Sequence, residues 1–170
     1  MKKYLVIGNP IEHSLSPKLH NYWFKKYNID ANYDRRKIDK SKIQETINEI
    51  KNNKLDGINV TVPFKNDVIP FLDTLSEESQ ITQSVNTIYK QDKKLVGHNT
   101  DIKGFELSLK ETKFDLENKT IFILGAGGVV PSIIYSLEKL GVSKIIVSNR
   151  TKQKTENLKK FFSNISIVDW

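Results

Sequence analysis

Short apolar runs separated by polar turns divide the chain into alternating strands and helices. Residues 4–8 are an apolar run stopped by Asn9-Pro10, which predicts a strand and then a turn. Ser16-Pro17 predicts a helix start, with serine as N-cap and proline in the first turn, where its missing N–H does no harm. Leu19, Tyr22 and Trp23 give that helix its expected apolar face. Ile43, Ile47 and Ile50 recur at helical spacing after Ser41, Asp56-Gly57 reads as a turn, and residues 58–62 read as a β-branched strand stopped by Pro63. These strand and helix units predict a largely parallel sheet at this end. Residues 87–90 and 94–98 predict a hairpin connected by Gln91-Asp92-Lys93.

The pattern changes near residue 100. A helix is expected after Asn99-Thr100-Asp101, and a polar stretch over residues 113–119 precedes a continuous apolar strand at 121–124. Gly125-Ala126-Gly127-Gly128 is a glycine-rich turn, residues 132–140 read as a helix ended by Gly141, and a strand at 144–148, a helix at 151–162 and a third strand at 165–168 follow. The expected fold class is α/β: a mixed-sheet substrate domain over residues 1–100, then a Rossmann-type parallel-sheet domain over 101–170. A complete dinucleotide domain has about five or six parallel strands, so this one reads as incomplete at its C-terminal side. Without later neighbours, Ile121, Ile123, Ile145 and Val147 are expected to stay partly exposed.

Composition narrows the function classes. With 170 residues, 38% of them hydrophobic, the chain can bury a core, and no stretch approaches the roughly 18 apolar residues of a membrane span. The apolar run at 4–8 is too short for a signal peptide, so a cytoplasmic protein with no membrane partner is expected. There is no cysteine, and His13, His20 and His98 lack metal-site spacing, so no metal is expected. The net charge of +7 is almost all lysine, Arg35, Arg36 and Arg150 being the only arginines, and no nucleic-acid motif accompanies it. It reads as a solvated lysine surface with no nucleic-acid partner, whose field would still draw in anionic ligands.

Several polar groups stand where packing does not ask for them. Ser14 and Ser16 bring two hydroxyls to a helix N-terminus, chemistry suited to a carboxylate. Asn59 and Thr61 share one face of the 58–62 strand and Lys65 follows its C-terminal end, where open α/β sheets gather ligands. Asparagine is a poor strand former, so Asn59, and Asn86 at the start of the hairpin, call for hydrogen-bond partners. One of Asn99, Thr100 and Asp101 caps the next helix, and they cannot all do so. A lysine and an aspartate together in a cleft would form a proton-transfer pair. The glycine turn before the 132–140 helix suits a pyrophosphate, although Val130 replaces the third glycine of the usual fingerprint. At the next strand end stand Asn149-Arg150-Thr151 with Lys152 and Lys154 and no carboxylate, which favours the 2′-phosphate of NADP over NAD.

Gly8-Asn9-Pro10-Ile11-Glu12-His13-Ser14-Leu15-Ser16-Pro17, Asn59-Val60-Thr61-Val62-Pro63-Phe64-Lys65, Val85-Asn86-Thr87, Gly97-His98-Asn99-Thr100-Asp101, Gly125-Ala126-Gly127-Gly128 and Asn149-Arg150-Thr151 together resemble the motifs of the shikimate dehydrogenases, in order. The resemblance implies NADP-dependent reduction of 3-dehydroshikimate to shikimate, on the route to chorismate and the aromatic amino acids. It implies that Ser14 and Ser16 hold the substrate carboxylate, that Asn59, Thr61, Asn86 and Asp101 bind ring hydroxyls, and that Lys65 is the catalytic acid/base working with Asp101. It places the pyrophosphate of NADP(H) on Gly125, Ala126, Gly127, Gly128 and Val129, the 2′-phosphate on Asn149, Arg150, Thr151, Lys152, Gln153 and Lys154, and Glu77 near the cofactor. Lys154 stands where an arginine is frequent, and Pro131 where many members have an arginine or a small residue. Members of the family run well beyond the length of this chain, and a homodimer is compatible with the resemblance. Two alternatives accompany it: a quinate/shikimate dehydrogenase, which would usually carry an acidic residue where Arg150 stands, and a shikimate-binding fragment without catalysis.

Overall fold

The computed structural model describes residues 1–170, which divide into two compact units, Met1–Asn99 and Thr100–Trp170. The element order is β1 (Lys2–Gly8), α1 (Ser16–Lys26), β2 (Ala31–Lys37), α2 (Ile43–Lys51), β3 (Gly57–Val60), β4 (Thr74–Leu75), α3 (Glu77–Thr82), β5 (Thr87–Gln91), β6 (Lys94–His98), α4 (Asp101–Glu111), β7 (Thr120–Leu124), α5 (Val130–Lys139), β8 (Lys144–Ser148), α6 (Lys152–Lys159) and β9 (Ile165–Ile167).

In the first unit six strands are ordered β2-β1-β3-β5-β6-β4. β1 is parallel to both β2 and β3, while β5 runs antiparallel to β3 and to β6. The sheet is therefore mixed, as the hairpin pattern predicted. Alternation along β1 divides the core. Leu5 and Ile7 meet Ile58, Val60 and Ile88 under the α2 face of Ile43, Ile47 and Ile50, whereas Val6 packs with Ile11, Tyr33, Tyr4 and Phe24 on the other side. The hairpin turn is tighter than its three-residue reading: Gln91 pairs with Lys94, and Asp92 and Lys93 alone carry the positive φ that a two-residue turn of this hand requires.

Two readings of this unit need correction, and one strand was not read. Leu19, Tyr22 and Trp23 do not face the sheet and are 48%, 59% and 42% exposed. The inward side of α1 is instead turned by one residue, to His20, Asn21 and Phe24, because Asn21 bonds both backbone groups of Tyr33 and His20 stacks on its ring. β2, whose sequence Ala-Asn-Tyr-Asp-Arg-Arg-Lys carries no apolar alternation, is an edge strand with Tyr33 as its one buried residue. Ser16 is the first helical residue and not the cap; Leu15 holds the N-cap position, and the Ser14 hydroxyl accepts from Ser16 N–H at 3.3 Å.

The second unit is a parallel sheet in the order β7-β8-β9, with α5 and α6 as crossovers. Its core joins Ile134 and Leu137 of α5 and Leu158 of α6 to Ile145, Val147 and Ile165, with Ile121 and Ile123 packed against them. The expected exposure of Ile145 and Val147 is overturned, since they are 4% and 0% exposed. The helices cover the face that all four residues share, and the uncovered side chains are Phe122 and Leu124, on the opposite face of the edge strand β7. This split sets an energetic order. Ile145→Ala is expected to cost the unit about 2–5 kcal/mol and Phe122→Ala under about 1 kcal/mol, as measured by urea unfolding.

Candidate functional site

In the first unit the ends of three strands and the start of α1 come together. Thr61 lies just past β3, yet its N–H still bonds the Ile7 carbonyl at 2.9 Å, and Asn9 N–H bonds the Val62 carbonyl at 3.1 Å. The approach is close enough to require a glycine: a Cβ on Gly8 would sit 2.6 Å from the Thr61 methyl. On the other side of β3, Val60 N–H bonds the Asn86 carbonyl at 2.8 Å and Val85 N–H bonds the Lys65 carbonyl at 2.9 Å. Segments 8–16, 59–65 and 85–87 are thereby tied edge to edge.

The side chains at this place are interlocked. Asn59 donates through Nδ2 to the Asn86 carbonyl at 3.1 Å and to the Thr87 hydroxyl at 3.0 Å, and accepts from the Tyr33 hydroxyl at 2.6 Å. Thr87 donates to Asn86 Oδ1 at 2.9 Å. Burial keeps the Tyr33 phenol far above its ordinary pKa, with the Ser16 hydroxyl pulling the other way, so Tyr33 stays a neutral donor. Lys65 is only 9% exposed, an unusual position for an ammonium group outside a working site. Ser14 and Ser16 stand half-buried at the N-terminus of α1. Sequence reasoning reached all of these except Tyr33 and Thr87; the lone aromatic in a charged edge strand was the available signal.

The loop carrying the serines is braced by Glu12. Its carboxylate accepts from its own N–H and from Ile11 N–H at 2.9 Å and pairs with Lys37 at 3.3 Å, which holds its pKa down at about 2, below the ordinary 4.5. An open groove of about 440 Å³ lies elsewhere in this unit, lined by Arg36, Asp39, Lys42 and Glu45 among others and bridged by the Arg36–Glu49 ion pair. It holds none of the predicted residues. Glu77 stands exposed in the first turn of α3, where a carboxylate complements the helix dipole, and Ser76 caps that helix through Ser79 N–H at 3.3 Å.

The second unit holds the remaining candidates. Thr100 has the N-cap position of α4 without a side-chain cap bond, Asp101 opens the helix, and Asn99, in the first unit, is spent on the Thr82 hydroxyl at 3.3 Å. Gly125 has a φ of 116°, which only glycine adopts without strain, and its N–H bonds the Ser148 carbonyl at 2.7 Å. At Gly127 and Gly128 an added Cβ would meet nothing within 4 Å, so the packing of the fold does not demand glycine there and the turn stands open before the N-terminus of α5. That fits a pyrophosphate approaching the backbone. Asn149 clasps the turn to the next loop, accepting from Ala126 N–H at 3.1 Å and donating to the Thr151 carbonyl at 2.8 Å. Arg150, Thr151, Lys152, Gln153 and Lys154 are exposed along the start of α6, and Thr151 takes its N-cap position.

Comparisons with known proteins find family matches in both units. The family model for the "Shikimate dehydrogenase substrate binding domain" matches residues 6–88, and that for "Shikimate / quinate 5-dehydrogenase" matches residues 106–169. The chain is 58% identical over 169 residues to the shikimate dehydrogenase (NADP(+)) of Pelagibacter ubique, covering 99% of this chain and 64% of that protein. It is 41% identical to the protein of the same name from Caldicellulosiruptor saccharolyticus, covering 97% and 60%. Among solved structures it superposes on shikimate dehydrogenase from Aquifex aeolicus with a TM-score of 0.92 at 38% identity, covering 99% and 62%. It also superposes on the Thermus thermophilus enzyme in complex with NADP(H) and shikimate, with a TM-score of 0.88 at 30% identity, covering 99% and 63%. The chain thus spans less than two thirds of the length of these relatives.

The brace at Glu12 has a pH signature. A carboxylate whose folded pKa lies below its unfolded value stabilises the fold fully above about 4.5, and that contribution is lost as pH falls from there toward about 2. Thermal midpoints of the chain and of Glu12→Gln, followed across that window, are expected to differ above pH 4.5 and to converge toward pH 2.

Proposed function

The chain belongs to the shikimate dehydrogenase family, and from that premise we propose that it serves the NADP-dependent interconversion of 3-dehydroshikimate and shikimate. The observation that carries the reading is the arrangement in the first unit: paired serines at a helix start, interlocked asparagines and a buried lysine on adjoining strand ends. Ser14 and Ser16, at the positive end of α1, hold the substrate carboxylate. Asn59, Thr61, Asn86 and Asp101 hold the ring hydroxyls. Lys65 is the acid/base. Its N–H bond breaks as the proton passes to the ketone oxygen, leaving a neutral amine; in the reverse direction the amine takes that proton back from the hydroxyl. NADPH, when bound, supplies the hydride.

In the second unit, the turn from Gly125 to Val129 and the N-terminus of α5 receive the pyrophosphate, and Asn149 holds that turn in register with the loop beyond β8. Arg150, with Thr151, Lys152, Gln153 and Lys154 around it, receives the 2′-phosphate, which favours NADP over NAD and shikimate over the quinate alternative. Glu77 is assigned to the cofactor's surroundings in the same proposal. Ser14, Ser16, Asn59 and Asn86 lie together in the first unit, and they also suit a second reading, a chain that binds shikimate without turning it over. Calorimetric titration with shikimate and with NADP⁺, set beside a spectroscopic assay of shikimate-dependent NADPH formation, separates the two readings. Binding without turnover selects the second, and absence of shikimate binding overturns both.

Two substitutions test the assignments. Lys65→Ala is expected to lower kcat by about 10²- to 10⁴-fold while leaving shikimate binding largely in place, and near-normal turnover would remove Lys65 from the acid/base role. Arg150→Asp is expected to weaken NADP⁺ binding by roughly 10- to 100-fold with little effect on NAD⁺, read by titrating both nucleotides. Unchanged selectivity would place phosphate recognition elsewhere.

A further inference from the structure

The hydrogen bonds around Asn59 have a direction, and it can be assigned without choosing amide orientations by hand. The Asn86 carbonyl can only accept, so the atom of Asn59 that faces it at 3.1 Å is the nitrogen. The second Nδ2 proton goes to the Thr87 hydroxyl at 3.0 Å, which makes that hydroxyl the acceptor there and sends its own proton on to Asn86 Oδ1 at 2.9 Å. At the other end Asn59 Oδ1 can only accept, so the Tyr33 hydroxyl at 2.6 Å is the donor. Both protons of the Asn59 amide and one lone pair of its oxygen are therefore spent inside the fold. What the half-buried side chain can still offer is a single lone pair.

Tyr33 is held firmly at the oxygen end of this amide. It is 4% exposed, and its backbone is paired with β1 at Tyr4 on one side. On the other, the Asn21 carboxamide closes both its N–H, at 2.9 Å, and its carbonyl, at 2.7 Å. Its ring stacks on His20 at 4.2 Å between centroids and 7° between planes. A phenol fixed on all sides keeps its hydroxyl on Asn59 Oδ1, while the Asn86 carbonyl, which has no proton to give, keeps the amide from turning over.

We propose that the acceptor-only Asn86 carbonyl orients the Asn59 amide and that Tyr33 is a positioning residue that fills one lone pair of Asn59 Oδ1 and holds the amide there, leaving Asn59 an acceptor only, so that the site takes a hydroxyl there and rejects a ketone, ether or fluoride of similar size. The inference rests on the assignment of shikimate to this site and deepens it, because it specifies which hydrogen-bonding sense one ring position must have. A hydroxyl donates into the remaining lone pair; a group without a proton would set lone pair against lone pair. Thr87 supports the same polarity from the far side of the amide.

Two measurements on the 170-residue chain test this. The first uses no ligand. The Asn59 side-chain amide protons, observed by NMR, are expected to exchange with solvent slowly. In Tyr33→Phe, and again in Thr87→Val, that exchange should quicken at least about tenfold while the backbone amides of Ile58 and Ile88 keep their protection. Unchanged Asn59 exchange in both variants would overturn the proposal. The second compares shikimate with its three monodeoxy analogues by calorimetry. Tyr33→Phe should weaken shikimate by roughly 3- to 10-fold but leave unaffected the one analogue that lacks the hydroxyl over Asn59. Equal weakening of all four ligands would reduce Tyr33 to a general structural role and overturn the proposal as well. Failure of the unmodified chain to bind shikimate would instead remove the functional reading, and the exchange measurement would then decide the polarity of Asn59 alone.

Discussion

An asparagine in the middle of a sheet has to be satisfied there, and the first unit is organised around that requirement at Asn59. The residue is costly in a strand, since its carboxamide brings two donors and an acceptor into half-buried surroundings where each unmet group would weigh against the fold. Its partners come from both sides: Tyr33 on β2, Asn86 just before β5 and Thr87 within it. Because β1 lies between β2 and β3, the Tyr33 side chain has to cross over a neighbouring strand to reach Asn59, which fixes the face on which Tyr33 stands and, through Val6 and Ile11, the small core beneath it. The polar network and the register of three strands are thus one constraint. A slip of a single residue in β2 would turn Tyr33 to the opposite face and break it.

The same constraint explains why α1 turns its aromatic side outward. Leu19, Tyr22 and Trp23 would bury more apolar area if the helix rolled by one position. Rolling would withdraw Asn21 from the open edge of β2, exposing the Tyr33 backbone groups, and would unstack His20. Two directional bonds and a ring stack prevail over non-directional burial, and the helix start that carries Ser14 and Ser16 is aimed accordingly.

Much of this was legible in the sequence, and the parts that were not share a cause. Strands β1, β3, β7 and β8 and helices α2 and α5 announce themselves by apolar runs or helical spacing, and the turn at Gly125 by its glycines. The candidate site residues Ser14, Asn59, Lys65 and Asn86 were legible because each is a polar group that packing alone does not explain. β2 was hidden because an edge strand bonded on one side needs no apolar alternation, and its five outward or half-outward polar residues carry no strand pattern. The facing of α1 and the role of Tyr33 were hidden for a related reason: both are set by hydrogen bonds between segments far apart in the chain, which no local pattern encodes. Where burial was misjudged, at Ile145 and Val147, the error lay in counting missing strands; the helices that cover the sheet face are local crossovers and are already present.

The second unit solves its own problem with the same side chain. Asn149 receives Ala126 N–H and donates to the Thr151 carbonyl, as Asn21 receives Tyr33 N–H and donates to its carbonyl. In each case one carboxamide supplies both a donor and an acceptor to backbone groups that no strand pairs, on the open edge of β2 at Tyr33 and on the turn and loop at Ala126 and Thr151. Aspartate is nearly the same size but has no proton to give at neutral pH, and at position 149 it would also set a negative charge beside the loop assigned to a phosphate. Asparagine therefore serves as a short neutral clasp, and because its two ends differ, every clasp also fixes which way the neighbouring hydrogen bonds run.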